Sequence, residues 1–505
     1  MGDGSRLIRY LVLAAGPLWP LASFADKNSH VLAFEDYLKL ALIIAIAALV
    51  GLGAVTTLSW LFRLQPFRVA LAVAAGTVVF FNYGDMVAVL PGKVTAKNVL
   101  YAVVLLTASA VTYAIAGRET VRRFLVASIL IACVIPIAKI VVVHASRGDT
   151  VSHMEVRASR VEAKPNVYLI AIDGYARADV LRKHIGLDIG PFIEQLEQRN
   201  VLVAPHSLAN YSATFFSIAS TLQFDYVVDA NSAPVRFRQP YIQIMRGQSR
   251  TAKVFRELGY TYVHASSGWE SSECGGQEDI CLIGPRRLRN RMQSELHLSL
   301  IEMTPLHFVA TPVLQKARMF ATVDELIETL QGSKLPEPFI LFAHTLGSHP
   351  PFKWQRDCTE RKSLEGLTAW ISRAAYAEAV ECVNRTILEL LDFLQKRDPS
   401  AIVVFFSDHG SAFDVDLKSR NGAWTADTIH QRYASFIAAK APARCATWFS
   451  DDLSNVNIIP FILGCLDRTK PSYLEDRFFL STYSKEGDIV ELTKEQMREM
   501  TLAPK

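Results

Sequence analysis

The sequence predicts an amino-terminal α-helical membrane domain of about five spans, followed by an α/β domain with a mostly parallel central sheet. Three observations predict this organisation. The 505-residue chain is 50% hydrophobic with a mean hydropathy of +0.19, and its long uncharged segments all precede residue 145. After residue 164, short apolar runs alternate with helical stretches, as in parallel α/β sheets. Six of the seven cysteines lie in this second part, which suits an oxidising compartment.

The membrane domain is predicted from five apolar segments. The clearest, Leu40–Phe62, is uncharged and long enough to cross a hydrocarbon core of about 30 Å at about 1.5 Å per residue. The other four segments are Leu7–Phe24, Val69–Leu90, Val99–Gly117 and Phe124–Val143. Asp85 and Lys139 lie within such segments, and we interpret them as interfacial rather than as a transport site.

The first segment has two interpretations. Arg6 and Arg9 precede a short apolar run that ends in Ser23-Phe24-Ala25, which fits either an uncleaved helix or a signal peptide. We expect an uncleaved helix. Both interpretations place Asp26 outside the cytoplasm.

The orientation follows from the basic residues of the loops. With five alternating spans, seven arginines fall on one side and four lysines on the other, so the amino terminus is predicted in the cytoplasm and everything after His144 outside it. Residues 1–144 hold 12 Lys/Arg and 6 Asp/Glu, whereas the rest hold 41 and 43. The basic excess therefore belongs to the membrane part, and we expect no nucleic-acid partner.

The predicted domains are a transmembrane domain (1–144), a connector (145–164) and an extracytoplasmic catalytic domain (165–505). The last contains three buried-type strands, Asn166–Ile172, Phe339–Ala343 and Ala401–Phe406. Its predicted helices are Gly190–Arg199, Thr251–Leu258, Ala321–Leu330 and Leu364–Lys396. Cys274 and Cys281 are close enough in sequence to form a disulfide, whereas the other pairings stay open.

Each of the three strands ends in residues that can bind a metal. They run into Asp173, into His344 with His349 shortly after it, and into Asp408-His409. Ligands of parallel sheets bind beyond the carboxyl ends of the strands, so these side chains are expected to lie together. Oxygen and nitrogen donors in combination favour Zn or Mn, with Mg or Ca as possible alternatives.

A nucleophile is predicted in the segment Asn210–Ser220, where a polar turn opens into an apolar helix. A hydroxyl at a helix amino terminus can meet an anion held by the helix dipole, and a metal would lower the pKa of that hydroxyl. The alternative is that Ser212 or Thr214 only caps the helix.

Together, Asn166–Asp173, Asn210–Ser220, His344–Phe352 and Ser407–Gly410 resemble the sulfatase-like branch of the alkaline phosphatase superfamily, in particular its membrane-bound phosphoethanolamine and phosphoglycerol transferases. The resemblance implies a metal bound by Asp173, Thr214, Asp408 and His409, with Thr214 forming a phospho-threonine intermediate. It implies that His344 and His349 contact substrate or a second metal. His430 is a further candidate for contact with substrate or a second metal, and its distance in sequence after Asp408-His409 is the only reason.

Two departures from the family pattern bear on the reaction. The named transferases use a Glu where this chain has Asp173, whereas sulfatases and phosphomutases use Asp. The segment Ser212-Ala-Thr-Phe-Phe lacks the Pro and Arg of the Cys/Ser-x-Pro-x-Arg sequence from which sulfatases make formylglycine. A threonine nucleophile thus favours phosphate chemistry.

The resemblance implies an enzyme of the bacterial inner membrane, with its catalytic domain in the periplasm. We expect it to move a phospholipid head group, phosphoethanolamine or phosphoglycerol, onto an envelope glycan or glycolipid. One alternative is a membrane-anchored hydrolase, a phosphodiesterase, phosphatase or sulfatase, using the same site with water as acceptor. The other is a non-catalytic envelope scaffold.

Overall fold

The structure is a computed structural model, and it describes residues 3–29, 32, 34–91, 94–145, 164–228, 238–285, 295–307, 321–363, 366–367, 369–415, 424–481, 489–493 and 496–497. The chain forms two compact units. One comprises Met1–Asp149 with Met292–Arg318, and the other Thr150–Arg291 with Met319–Lys505. Apart from its end residues, the predicted connector lies outside the described residues.

The helices are α1 (Asp3–Asn28), α2 (Phe34–Leu61), α3 (Pro66–Phe80), α4 (Tyr83–Val89), α5 (Val94–Ile115), α6 (Glu119–Ala145), α7 (Ala178–Val180), α8 (Gly190–Glu197), α9 (Thr214–Gln223), α10 (Gln239–Met245), α11 (Arg250–Glu257), α12 (Glu295–Glu302), α13 (Val323–Gln331), α14 (Arg373–Arg397), α15 (Ala426–Tyr433) and α16 (Ile458–Asp467). The strands are β1 (Val167–Ile172), β2 (Val201–Val203), β3 (Thr261–Ala265), β4 (Ile280–Leu282), β5 (Phe339–Thr345), β6 (Ile402–Phe406), β7 (Ile437–Lys440), β8 (Phe478–Leu480) and β9 (Val490–Leu492).

The helical unit confirms the prediction of about five spans. Helices α1, α2, α5 and α6 are long and apolar enough to cross a membrane, and α3 with α4 makes a fifth span if the pair is counted as one. That pair bends by 64° between Phe80 and Tyr83, so the predicted continuous segment Val69–Leu90 is broken.

Helix α1 packs within this unit against α2, α3 and α6. Its residues Val12 and Leu21 have no exposed surface, and Gly16 lets α1 approach α3 so closely that an added Cβ would lie 3.0 Å from Ala74 Cα. Cleavage after this segment would remove a helix on which its neighbours pack. The uncleaved helix stays a prediction.

The helical unit also includes a segment that we predicted within the catalytic domain. Leu296 and Leu300 of α12 are buried in one apolar cluster with Leu21, Leu40 and other residues of the unit. The Tyr83 N–H donates a hydrogen bond to the Met303 carbonyl (3.0 Å). The domain boundaries 1–144, 145–164 and 165–505 stay a prediction, and within the last of them α12 packs with the helical unit because its apolar face is buried there.

The second unit is built on a seven-stranded sheet of order β2-β7-β6-β1-β5-β3-β4. Strands β6, β1, β5, β3 and β4 are parallel, and β7 is antiparallel to both of its neighbours, β6 and β2. The three predicted strands are the adjacent β6, β1 and β5. They are fully buried because helices cover both faces of the sheet. Alternate residues of β1 belong to two separate apolar clusters. One cluster includes residues of α9, α10, α11 and α16, and the other includes residues of α8, α13 and α14.

Disulfides and helix starts refine the predictions. The six cysteines of this unit pair as Cys274–Cys281, Cys358–Cys382 and Cys445–Cys465, which confirms the predicted pairing of Cys274 with Cys281.

Helix α14 begins at Arg373, later than predicted, because the Ser372 hydroxyl accepts a hydrogen bond from the Ala375 N–H (3.3 Å) and caps the helix.

Candidate active site

The carboxyl ends of β1, β5 and β6 bring three of the predicted polar groups together. Asp173 follows β1, and its Oδ1 lies 3.5 Å from His409 Nε2 in the loop after β6. His409 Nε2 lies 3.1 Å from Asp408 Oδ2. On the other side, His344 Nε2 of β5 is 3.3 Å from Asp173 Oδ2. The register explains this, because Ala171 of β1 pairs with both His344 and Phe406.

Thr214, the first residue of α9, lies beside the same side chains. Its Oγ1 lies 3.0 Å from His409 Nε2. His409 Nδ1 is 2.9 Å from the Gly410 carbonyl, which can only accept, so Nδ1 carries the proton and Nε2 accepts the hydrogen bond from the Thr214 hydroxyl. Both residues are almost fully buried. This geometry matches a nucleophile beside a basic or metal-binding nitrogen.

Backbone and side-chain hydrogen bonds hold the loops in place. The Gly174 N–H donates to Asp408 Oδ1 (3.1 Å), which ties the loop after β1 to the loop after β6. Ser217 Oγ donates to the Asp408 carbonyl (2.6 Å), and the Asn455 amide donates to the Ser407 carbonyl (2.9 Å). Sequence reasoning missed Ser217 and Asn455. Ser217 lies three residues after Thr214 on the same face of α9, a spacing that could have indicated it.

The electrostatics of the two carboxylates differ. Burial raises the pKa of Asp408, and the neighbouring Asp173 carboxylate raises it further. Burial opposes ionisation of Asp173 as well, but His349, His344 and His409 outweigh it and hold the pKa of Asp173 below its usual range. Burial and Arg432 lower the pKa of His409, so its imidazole is neutral and can bind a metal.

The residues fit a divalent cation. Asp173 Oδ1, Asp408 Oδ2 and His344 Nε2 are buried, and within the described residues none of these atoms makes a hydrogen bond. Asp173, Asp408 and His409 each offer one ligand atom, and these atoms lie within 4.8 Å of one another. Buried polar atoms are normally hydrogen-bonded, so two unsatisfied carboxylate oxygens beside a neutral imidazole indicate a cation site.

The three histidines that are predicted to contact substrate or a second metal lie in two different places. His344 is fully buried, whereas His349 is partly exposed, with its Nε2 4.0 Å from Asp173 Oδ1. His430 lies elsewhere: its Nε2 is 2.8 Å from Asp179 Oδ2, and within the described residues no hydrogen bond or ion pair joins it to Asp173 or His409. A role for His430 stays a prediction.

The Sulfatase family model matches residues 165–467, which covers more than half of the chain. The chain belongs to the sulfatase family. This confirms the predicted branch and makes the second unit an enzyme of the sulfatase-like phosphotransferase or hydrolase type, not a scaffold. By the length and composition of its four or five apolar helices, the chain is a membrane protein.

Similar proteins include a protein of Rhizobium meliloti (strain 1021) that is named for cyclic beta-1,2-glucan modification. It is 24% identical over 256 residues, which are 49% of this chain and 36% of that protein, so the match spans about a third of the relative. Among solved structures, the C-terminal periplasmic domain of EcEptC from Escherichia coli is 13% identical with a TM-score of 0.41, covering 66% of this chain and 94% of its own. Lipooligosaccharide phosphoethanolamine transferase A of Neisseria meningitidis is 13% identical with a TM-score of 0.39, covering 92% and 95%.

Proposed function

We propose that this sulfatase-family enzyme transfers a phospholipid head group, phosphoethanolamine or phosphoglycerol, through a phospho-threonine intermediate on Thr214. The acceptor is a hydroxyl of an envelope glycan or glycolipid. One observation carries the proposal: the Thr214 hydroxyl lies 3.0 Å from a neutral His409 nitrogen, beside two buried carboxylates with unsatisfied oxygens.

Thr214 is suited to attack phosphorus. It is the first residue of α9, where the helix dipole favours a negatively charged phosphoryl group. Asp173, Asp408 and His409, with Thr214 itself, would hold a divalent metal. That metal would lower the pKa of the hydroxyl and stabilise charge on the phosphoryl oxygens. The oxygen and nitrogen donor set favours Zn or Mn.

The reaction has two displacements. In the first, Thr214 Oγ1 gives up its proton and attacks the head-group phosphorus. A phosphorus–Oγ1 bond forms, the bond to the diacylglycerol oxygen breaks, and that oxygen takes up a proton as diacylglycerol leaves. In the second, an acceptor hydroxyl gives up its proton and attacks the same phosphorus. The phosphorus–Oγ1 bond then breaks, and Thr214 is reprotonated.

Two observations support the lipid donor and the glycan acceptor. Four or five apolar helices keep the enzyme in the membrane in which a phospholipid donor lies, and we place it in the bacterial inner membrane with its enzyme domain in the periplasm. The Rhizobium meliloti relative is named for glucan modification, which supports a carbohydrate acceptor.

Intact-mass spectrometry of the full-length protein tests the intermediate. After incubation with phosphatidylethanolamine or phosphatidylglycerol, we expect a mass increase of one phosphoryl head group on the wild type and on Thr214→Ser, and none on Thr214→Ala. Thr221→Ala is the matched control, because Thr221 is buried on the same helix and its hydroxyl donates within that helix, to the Ser217 carbonyl. The same adduct on Thr214→Ala would refute the covalent mechanism.

Hydrolysis with the same site is the second candidate, and Asp173 is the observation that favours it, because sulfatases and phosphomutases have Asp at this position. Incubation with head-group-labelled phospholipid, with and without cyclic glucan, separates the two functions. Label that moves to the glucan supports transfer. Label that is released only as a small molecule, at the same rate with or without glucan, supports hydrolysis and refutes transfer to this acceptor.

A further inference from the structure

Arg432 is a buried arginine beside the candidate active site. It lies in the last turn of α15, and only 1% of its surface is exposed. Its Nε donates a hydrogen bond to the carbonyl of Ser212 (2.7 Å), which lies two residues before Thr214. A buried charge is costly unless its donors are hydrogen-bonded, so the partners of Arg432 indicate its role.

Arg432 also bonds to the loop after β6, which carries His409. The Gly410 N–H donates to the Arg432 carbonyl (2.7 Å), and Arg432 Nη1 makes a longer contact, 3.4 Å, with the Gly410 carbonyl. The same carbonyl accepts the proton of His409 Nδ1 (2.9 Å). A Cβ added to Gly410 would overlap the Gln431 carbonyl oxygen, so the last turn of α15 packs directly against this loop. Arg432 therefore holds the group that orients His409.

The hydroxyl of Ser212 is used by a different partner. It donates to the Ser481 carbonyl (2.5 Å) and accepts from the Ser481 N–H (3.1 Å), directly after β8. Ser212 has no exposed surface, and no side chain caps α9, which begins after Ala213. Ser212 is thus a fixed point of the chain that leads into α9, and Thr214 is the hydroxyl that faces the site.

We propose that Arg432 is a positioning residue: it joins the start of α9 to the loop after β6 and so sets the distance between Thr214 Oγ1 and His409 Nε2. Ser217 bonds α9 to the same loop at a point after Thr214, whereas Arg432 does so before it. A misplacement of about 1 Å in a reacting group can lower a rate about 100-fold. The inference rests on the proposed function only for the role of Thr214 as the nucleophile.

Arg432→Lys tests the proposal with the positive charge retained. In lysine a methylene carbon takes the place of Nε, so the hydrogen bond to the Ser212 carbonyl is lost, and one ammonium group cannot replace the planar fork of donors. Arg432→Met, the second variant, removes every donor of the side chain.

Crystal structures of the full-length variants measure the geometry directly. The distance between Thr214 Oγ1 and His409 Nε2 is 3.0 Å. We expect it to exceed hydrogen-bonding range, above about 3.5 Å, in both variants. An unchanged distance in both variants overturns the proposal. The distance is read without substrate, so failure of the proposed transfer would not change this outcome.

Kinetics with lipid donor and glycan acceptor give a second measurement. Loss of an outer partner of a metal-binding histidine lowers activity about 10–100-fold, and we expect this fall in kcat for Arg432→Lys. KM should change little, because a side chain with 1% exposed surface does not contact substrate. A loss that is confined to KM overturns the proposal.

Arg177→Lys is the matched control. Arg177 is also buried, and its Nη1 donates to the Ser207 carbonyl (3.0 Å), outside the start of α9 and the loop after β6. Its thermal midpoint should fall, whereas its kcat and its distance between Thr214 and His409 should equal those of the wild type. An equal loss of kcat in Arg177→Lys would show that any buried arginine of this unit has the same effect, and it would overturn the proposal.

Discussion

Replacing Tyr376 by phenylalanine removes one oxygen atom from behind the loop that carries Asp173. The Tyr376 hydroxyl accepts a hydrogen bond from the Ala176 N–H (3.0 Å) and donates one to the Gly174 carbonyl (2.8 Å). Tyr376 is fully buried on α14, and its ring packs against aromatic neighbours that a phenylalanine would still contact. The variant therefore isolates two hydrogen bonds.

The expected loss of stability follows from the groups that are left behind. A buried donor or acceptor without a partner costs about 1–3 kcal/mol, and Tyr376→Phe leaves one donor and one acceptor. Because a carbonyl without a partner is the better tolerated of the two, we expect a loss of about 2–4 kcal/mol in the free energy of unfolding. For a domain of about 340 residues, an unfolding entropy of about 2.1 cal/mol/K per residue gives a shift of about 1.4 °C per kcal/mol. The thermal midpoint of the enzyme domain should therefore fall by about 3–6 °C.

Thermal unfolding of the full-length protein, followed by near-ultraviolet circular dichroism, measures this change. Tyr175→Phe is the matched control: Tyr175 is also fully buried in the same region, but within the described residues its hydroxyl makes one hydrogen bond, to the Asn384 side chain. Its midpoint should fall by about half as much. Tyr376→Phe should also weaken metal binding, because the Gly174 N–H holds Asp408. An unchanged midpoint in Tyr376→Phe, or a larger fall in Tyr175→Phe, would refute the reasoning.

Three further predictions concern the same unit. Gly174 has φ +68°, and an added Cβ would lie 2.9 Å from the Trp370 ring. Gly174→Ala should therefore lower the free energy of unfolding by about 2–4 kcal/mol, through left-handed backbone strain and overpacking. A decrease below about 1 kcal/mol, measured by thermal unfolding, would contradict this. Zn²⁺ or Mn²⁺ added to chelator-treated protein at about 100 times its Kd should stabilise the domain by about 2.7 kcal/mol, and Asp408→Asn should abolish the increment; the same increment in Asp408→Asn would exclude this site. Burial lowers the pKa of His264 to about 4 from its ordinary 6.5. Between these two pH values the unfolded chain takes up a proton that the folded chain does not. The free energy of unfolding should therefore decrease by up to about 3 kcal/mol as the pH falls from 6.5 to 4. His264→Gln should flatten that part of the stability profile, and an unchanged profile would show that His264 does not cause it.

Much of the site was predictable because the end of a buried strand can be recognised in a sequence as the end of a continuous apolar run. Asp173, His344 and Asp408 each lie at or directly after a continuous apolar run of the type that is covered on both faces of a sheet. The carboxyl ends of parallel strands share one edge, so their meeting followed from periodicity alone. Thr214 was predictable for a similar reason, since a polar turn before an apolar helix marks a helix start.

Other residues could not be found in this way, because they reach the site from distant parts of the chain. Asn455 bonds to the Ser407 carbonyl 48 residues away, and Ser272 bonds to His344 72 residues away. No local pattern distinguishes these residues from ordinary polar loop residues. For His430, closeness in sequence to Asp408-His409 is the only ground of the prediction, and in the structure its side chain pairs with Asp179.

The sequence by itself determined the division into membrane and enzyme parts, the parallel sheet and the residues at its functional edge. These depend on hydrophobic periodicity and on which residue follows each strand, and both are local properties. Tertiary structure alone decided that α12 packs with the membrane helices, and that the Ser272 hydroxyl lies 2.8 Å from His344 Nδ1. It also decided that one oxygen of Asp173 and one of Asp408 are left without a hydrogen bond among the described residues. Such contacts depend on how surfaces far apart in the chain are buried against one another, and that is a property of the folded protein.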